Sequence, residues 1–95
     1  MALVLSLREG QDFYLDDTQV RVTKVSGMMR FELFVPSRNT SHGITDEESI
    51  EVIEDVFISA GDRPQKGVAR VAIDAPRSIL IARGDRYREA INARG

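Results

Sequence analysis

The stretch "GVARVAIDAPRSILIAR", residues 67–83, joins two β-type runs at Ala75-Pro76 and sets Arg70, Arg77 and Arg83 among them. In the first run Val68, Arg70, Ala72 and Asp74 alternate with Ala69, Val71 and Ile73, the period-2 signature of a strand with one buried face. After the joint, "SILIAR", residues 78–83, places Ile79, Ile81 and Arg83 on one side and Leu80 and Ala82 on the other. "DRYREAIN", residues 85–92, reads as a terminal helix with Tyr87 and Ile91 one turn apart. A core-building strand pair with arginines at its margins has either solvated trim or a face that meets an anion.

Upstream, "LVLSLR", residues 3–8, alternates with Leu3, Leu5 and Leu7 on one side and Val4, Ser6 and Arg8 on the other. Gly10 supplies a turn, "DFYLDD", residues 12–17, a short aromatic strand, and "TQVRVTKV", residues 18–25, a third alternating run closed by Ser26-Gly27. "MMRFELFVP", residues 28–36, is a further candidate strand ended by Pro36, so the first 36 residues predict a meander of three or four strands. "SRNTSHG", residues 37–43, reads as a polar loop. Thr45 and Glu48 have capping-box spacing, and Asp46, Glu47 and Glu48 suit the positive end of a helix dipole. Ile50, Ile53 and Phe57 recur at helical spacing, which predicts a short amphipathic acidic helix over 46–56. "AGDRPQKG", residues 60–67, reads as a loop.

The 95 residues suffice for one domain. A chain of this size buries only about 60–65% of its unfolded surface, so a partner subunit is an expected source of further apolar contact. The net charge of −2 is unevenly spread: residues 1–36 sum to −1, residues 37–65 to −5 and residues 66–95 to +4. The overall balance argues against nucleic acid, whereas the C-terminal third does not. With no cysteine there is neither a disulfide framework nor a thiolate metal site. No secretory leader and no apolar run of about 20 residues is apparent, so a cytoplasmic protein without a membrane segment is expected. The single histidine, His42, stands in a loop-like context, and the acidic run lacks the glycine and ligand spacing of a calcium loop. No glycine-rich phosphate cradle and no nucleophile with a base partner is visible, so neither enzyme chemistry nor a cofactor is expected.

Two blocks, "LVLSLREGQDFYLDDTQVRVTKVSG" (3–27) and "KGVARVAIDAPRSILIARGDRY" (66–87), resemble the carbon storage regulator family (CsrA/RsmA) of small messenger-RNA-binding proteins. They cover about half the chain, and the Ala-Pro joint followed by a strand ending in Arg is the more specific feature. Residues 28–65 stand where the family has a tight turn between its third and fourth strands. Either 28–36 or 68–74 corresponds to the fourth strand, and the Ala-Pro joint with Arg83 favours the later segment. The resemblance implies a mainly β fold: a small five-stranded antiparallel sheet in an intertwined, strand-exchanged homodimer, here with an inserted acidic helix and a C-terminal helix. It implies one RNA-binding domain over 1–95, with strand exchange through residues 2–8 and 78–83.

By the same resemblance, each of two sites combines the first strand of one chain with the fifth of the other, reads a GGA core in a hairpin loop and represses translation. The matching positions are Leu5, Ser6, Leu7 and Arg8, facing Ala75, Pro76, Arg77, Ile79, Ile81, Ala82 and Arg83. Arg83 matches the family's key arginine. Leu7 departs, standing where the family carries a basic residue, and Ala82 replaces a bulkier side chain. The loss of a cationic anchor and the −5 middle segment leave a second expectation open, a protein-interaction or decoy module whose acidic insertion meets a partner.

Overall fold

The computed structural model describes residues 3–27, 29–61 and 65–94. Nine strands and one helix follow in chain order among these residues: β1 Leu3–Arg8, β2 Asp12–Leu15, β3 Thr18–Gly27, β4 Arg30–Val35, β5 Thr40–Thr45, β6 Ile50–Ile53, β7 Val56–Ala60, β8 Val68–Asp74, β9 Ile81–Arg83 and α1 Gly84–Arg94. They form two antiparallel sheets, one in the order β1-β8-β7-β6 and the other β5-β4-β3-β2-β9. The single five-stranded sheet expected from the resemblance is therefore replaced by a two-sheet arrangement.

Alternation decides which side chains enter the space between the sheets. Leu7, Val52, Val56, Ile58, Ala69, Val71 and Ile73 come from the first sheet, and Phe13, Leu15, Val20, Val22, Phe31, Leu33, Val35 and Ile44 from the second. Burying a side chain such as Leu or Phe contributes about 1.5–3 kcal/mol, so this shared layer is what couples the sheets. The predicted alternation is complete in β8 and holds in β3 as far as Val22, where the register shifts; in β1 it buries Leu7 and part of Leu5 but leaves Leu3 exposed, and α1 occupies the predicted terminal position. β1 departs from the expected meander: it pairs with β8, Leu3 opposite Ile73 through Arg8 opposite Val68. The three-residue corner after it is fixed by Gln11, whose Oε1 accepts from Arg8 N at 2.8 Å, and by Gly10 at φ 91°.

Three expectations for the middle of the chain are overturned. The acidic helix over 46–56 is absent: Ile50–Ile53 and Val56–Ala60 form the β6–β7 hairpin. Asp55 turns it in the left-handed region at φ 65°. Val52, Val56 and Ile58 gain burial between the sheets, and β-branched residues fit a pleated surface better than a helix. Thr45 Oγ1 accepts from Glu47 N at 3.3 Å, a local turn contact in place of the reciprocal cap with Glu48. The polar loop 37–43 is largely a 3₁₀ turn at Pro36–Arg38, left-handed Asn39 and the first part of β5, which Ile44 anchors to the core. The strand expected over 78–83 begins only at Ile81, because 76–79 close a turn in which Ile79 N donates to Pro76 O at 3.0 Å. The loop expected over 60–67 holds in part: Ala60 ends β7 and Gln65 bridges to Val68, while residues 62–64 lie outside the described ones.

The two segments considered for the fourth strand divide that position. β4 lies beside β3, while β8 lies beside β1 and leads through Ala75-Pro76 to β9.

Candidate nucleic-acid interface

β1 is the edge of one sheet and β9 the edge of the other, and Arg83 links them: its Nη1 donates to Ser6 O at 3.1 Å, across 77 positions of sequence. Arg83 faces this seam because it alternates with Ala82 and shares its side of β9 with Ile81, which packs on the core. On β1, Ser6 O and Arg8 N both bond away from β8. In an antiparallel ladder the N–H and C=O of one residue point the same way and alternate along the strand. The backbone groups of Val4 and Ser6 therefore also face the open edge, while those of Leu3, Leu5 and Leu7 face β8.

Arg70 lies directly opposite Ser6 on β8 and donates from Nη1 to Ser6 Oγ at 2.7 Å. Two guanidinium groups thus converge on Ser6, one on its hydroxyl and one on its carbonyl. Arg8 follows on the same strand with an exposed side chain. Among the described residues the ion pairs are Arg88–Asp12 at 2.8 Å and Arg83–Asp85 at 3.7 Å, so the positive charge of Arg8 and Arg70 is not neutralised by an ion pair there.

Beneath Arg83 the seam ends in a pocket of about 140 Å³ lined by Leu7, Gly10, Gln11, Asp12, Arg83, Asp85 and Arg88. Asp12 is its buried acid. Burial disfavours the charged carboxylate, but hydrogen bonds from Arg88 and Gln19, with the charges of Arg88 and Arg21, outweigh that and hold its pKa below the ordinary carboxylate value. The same contact raises the pKa of Arg88. Gly84 starts α1 against this carboxylate, where a Cβ would overlap Asp12. Tyr87 stacks on Tyr14 with ring centroids 3.8 Å apart and planes 10° from parallel. These contacts fix α1 on the outer face of β2, so the backbone leading out of Arg83 is held on both sides.

The expected site residues separate into groups. Ser6 and Arg83 meet, with Arg8 beside them. Leu7 is 1% exposed and belongs to the core, which corrects its placement as a contact surface: alternation turns it inward, opposite in facing to Ser6. Leu5, Ala75, Ile79 and Ile81 are partly buried against the core. Pro76 and Arg77 are exposed on the β8–β9 turn. Ala82 faces away from the seam, into an apolar groove of about 510 Å³ that it shares with Leu80, Tyr87, Ala90 and Ile91. The expected site residues include neither Arg70 nor Gln11, Asp12 and Arg88, which the structure brings to the seam and its pocket. Only the β1–β8 register reveals Arg70, and no local pattern signals that pairing.

No helix among the described residues is long and apolar enough to cross a membrane. No family model, curated protein or solved structure matches the chain.

Proposed function

We propose that the β1/β9 seam binds single-stranded RNA in loops with a GGA core, and that the protein is a post-transcriptional regulator that represses translation from the cytoplasm. The observation that supports this reading is the Arg83–Ser6 contact, which brings the ends of the two resembling blocks into one edge cleft with Arg70 and Arg8 alongside. Unstacked bases expose their hydrogen-bonding edges to open strand backbone, and arginines hold phosphates or stack on base faces. The GGA preference comes from the resemblance to the carbon storage regulator family. A homodimer was expected on the same ground.

The test is a titration of the protein into a labelled GGA-loop hairpin and a scrambled-loop control across a salt series. With Arg8, Arg70 and Arg83 as phosphate contacts, log affinity should fall against log salt with a slope of about −2, since each single-strand contact contributes about −0.7. Equal affinity for both hairpins overturns the reading.

A second reading has its own observation. Leu7 is core, so the cation that the family carries at that position has no counterpart on this surface. The insertion meanwhile exposes Asp46, Glu47, Glu48, Glu51, Glu54 and Asp55 without an intervening cation. A protein-interaction or decoy module, with a basic partner on the acidic insertion, is the alternative that equal hairpin affinities would favour.

A further inference from the structure

The resemblance makes the cleft a product of two chains, yet every contact described above is made within one. β1 pairs with its own β8, β9 with its own β2, and Arg83 reaches its own Ser6. The insertion accounts for this. A tight turn after β3 would force the strand that precedes Ala75-Pro76 to lie beside β3. Here β4 takes that place, β5 extends the second sheet, and β6 and β7 carry the chain into the first sheet, where β8 lies between β7 and β1. Inserted strands therefore fill sheet positions for which the expected dimer needs a second chain.

The result is a two-ended sandwich with unequal ends. At one end the open edges β1 and β9 meet around Ser6 with Arg8, Arg70 and Arg83. At the other, edges β5 and β6 lie together, joined directly by residues 46–49. Residues 46–55 hold six carboxylates and no cation. Phosphate is attracted to the first end and repelled from the second.

We infer that the chain closes both sheets on itself and carries one complete cleft, so that a single monomer binds one RNA loop. This rests on the nucleic-acid reading for the identity of the ligand, but the closure itself does not. Regulators with two clefts gain from RNAs that present two loops, by effective concentration. A monovalent chain gains nothing from the second loop and occupies each independently.

The closure is testable without RNA because the chain has no cysteine. Val4 and Ala72 are opposite each other on β1 and β8, and the backbone of Val4 faces the open edge, which makes theirs a non-hydrogen-bonded pair. Such pairs have Cα atoms about 4.5 Å apart, within disulfide range. The oxidised Val4→Cys/Ala72→Cys variant should run on a non-reducing denaturing gel at the mass of one chain, 10.6 kDa. Light scattering on the unmodified protein should give the same mass. A covalent two-chain band, or a two-chain mass in solution, overturns the inference whatever the RNA result.

Binding of the oxidised single chain to one-loop and two-loop GGA hairpins then separates the two claims. Equal affinity per loop supports monovalency, and a gain of tenfold or more on the two-loop RNA overturns it. Failure to distinguish GGA from scrambled loops, with the single-chain band intact, overturns the nucleic-acid reading and the ligand assignment while leaving the closure standing.

Discussion

Replacing Leu7 by arginine sets the family resemblance against the packing of this chain. The resemblance makes Leu7→Arg a repair, restoring a phosphate anchor to the first strand. The structure makes it destructive, because Leu7 is 1% exposed, between sheets, and lines the same small pocket as Arg83 and Arg88. Removing a buried leucine side chain costs about 2–5 kcal/mol. Placing an unpaired cation in its position adds an effective penalty of several kcal/mol, and the buried acid of that pocket, Asp12, already holds Arg88. A 95-residue domain has a total stability of roughly 5–14 kcal/mol at 0.05–0.15 kcal/mol per residue. The substitution therefore removes most or all of it. Urea unfolding followed by circular dichroism should show no cooperative transition for Leu7→Arg. Leu7→Ala should lower the midpoint by about 1–2.5 M at a slope of about 2 kcal/mol/M, and Leu7→Met should stay within about 1.5 kcal/mol of the parent. A Leu7→Arg protein that unfolds at the parental midpoint and binds the GGA hairpin more tightly would refute the reasoning. The side chain would then point outward, and the register of β1 would be displaced by one residue, since a single step moves every side chain to the other face.

Arg83→Ala should weaken GGA-hairpin binding by roughly 5- to 150-fold, the equivalent of about 1–3 kcal/mol for a positioned arginine, while changing the urea midpoint little; anisotropy titration and unfolding curves on one preparation check both. Asp12 has a folded pKa below its unfolded value, so its contribution to stability is complete above about pH 4 and is lost as pH falls through the folded value. Asp12→Asn should accordingly destabilise at neutral pH by roughly 1–3 kcal/mol and flatten the acid limb of a stability-against-pH curve; an unchanged limb would remove Asp12 from that account. Asp55→Gly separates the observed hairpin from the predicted helix. At φ 65° glycine relieves left-handed strain and should leave the protein as stable or up to about 1 kcal/mol more so, whereas inside a helix replacing aspartate by glycine would cost a few tenths of a kcal/mol.

Most of the frame was legible because alternation is a local signal. β1, β3, β4 and β8 each show it over six or more residues, and Gly10, Gly27 and Pro36 mark their ends. The insertion was misread for a physical reason. Ile50, Ile53 and Phe57 fit a helical face, but Ile50/Val52 and Val56/Ile58 fit strand alternation on either side of Glu54-Asp55. The choice depends on whether a sheet stands ready to receive Val52, Val56 and Ile58, and that sheet is built by residues 3–8 and 68–74. In β5 only Ile44 is an apolar residue buried in the core, so its partner β4 supplies what its own sequence does not announce.

The candidate site was legible as residues and illegible as an arrangement. Arg83 and Ser6 were both singled out, yet nothing local says whether they meet within a chain or between chains. That depends on where the strand before Ala75-Pro76 lies, which the length of the connection after β3 controls. Short, it leaves β8 beside β3 and β1 in need of a partner elsewhere. Long enough to contain four strands, it frees β8 to pair with its own β1, and Arg70 comes opposite Ser6 as a consequence of that register. The insertion thus does more than decorate a scaffold: by its length it governs how β1 is paired, and by its charge it distinguishes the two ends of the sandwich. Shortening it should therefore convert self-pairing into exchange between chains, and the oxidised Val4→Cys/Ala72→Cys pair would report that conversion as a shift from the one-chain to the two-chain band. A chain that kept the one-chain band with β4–β7 removed would show that the insertion does not control the pairing.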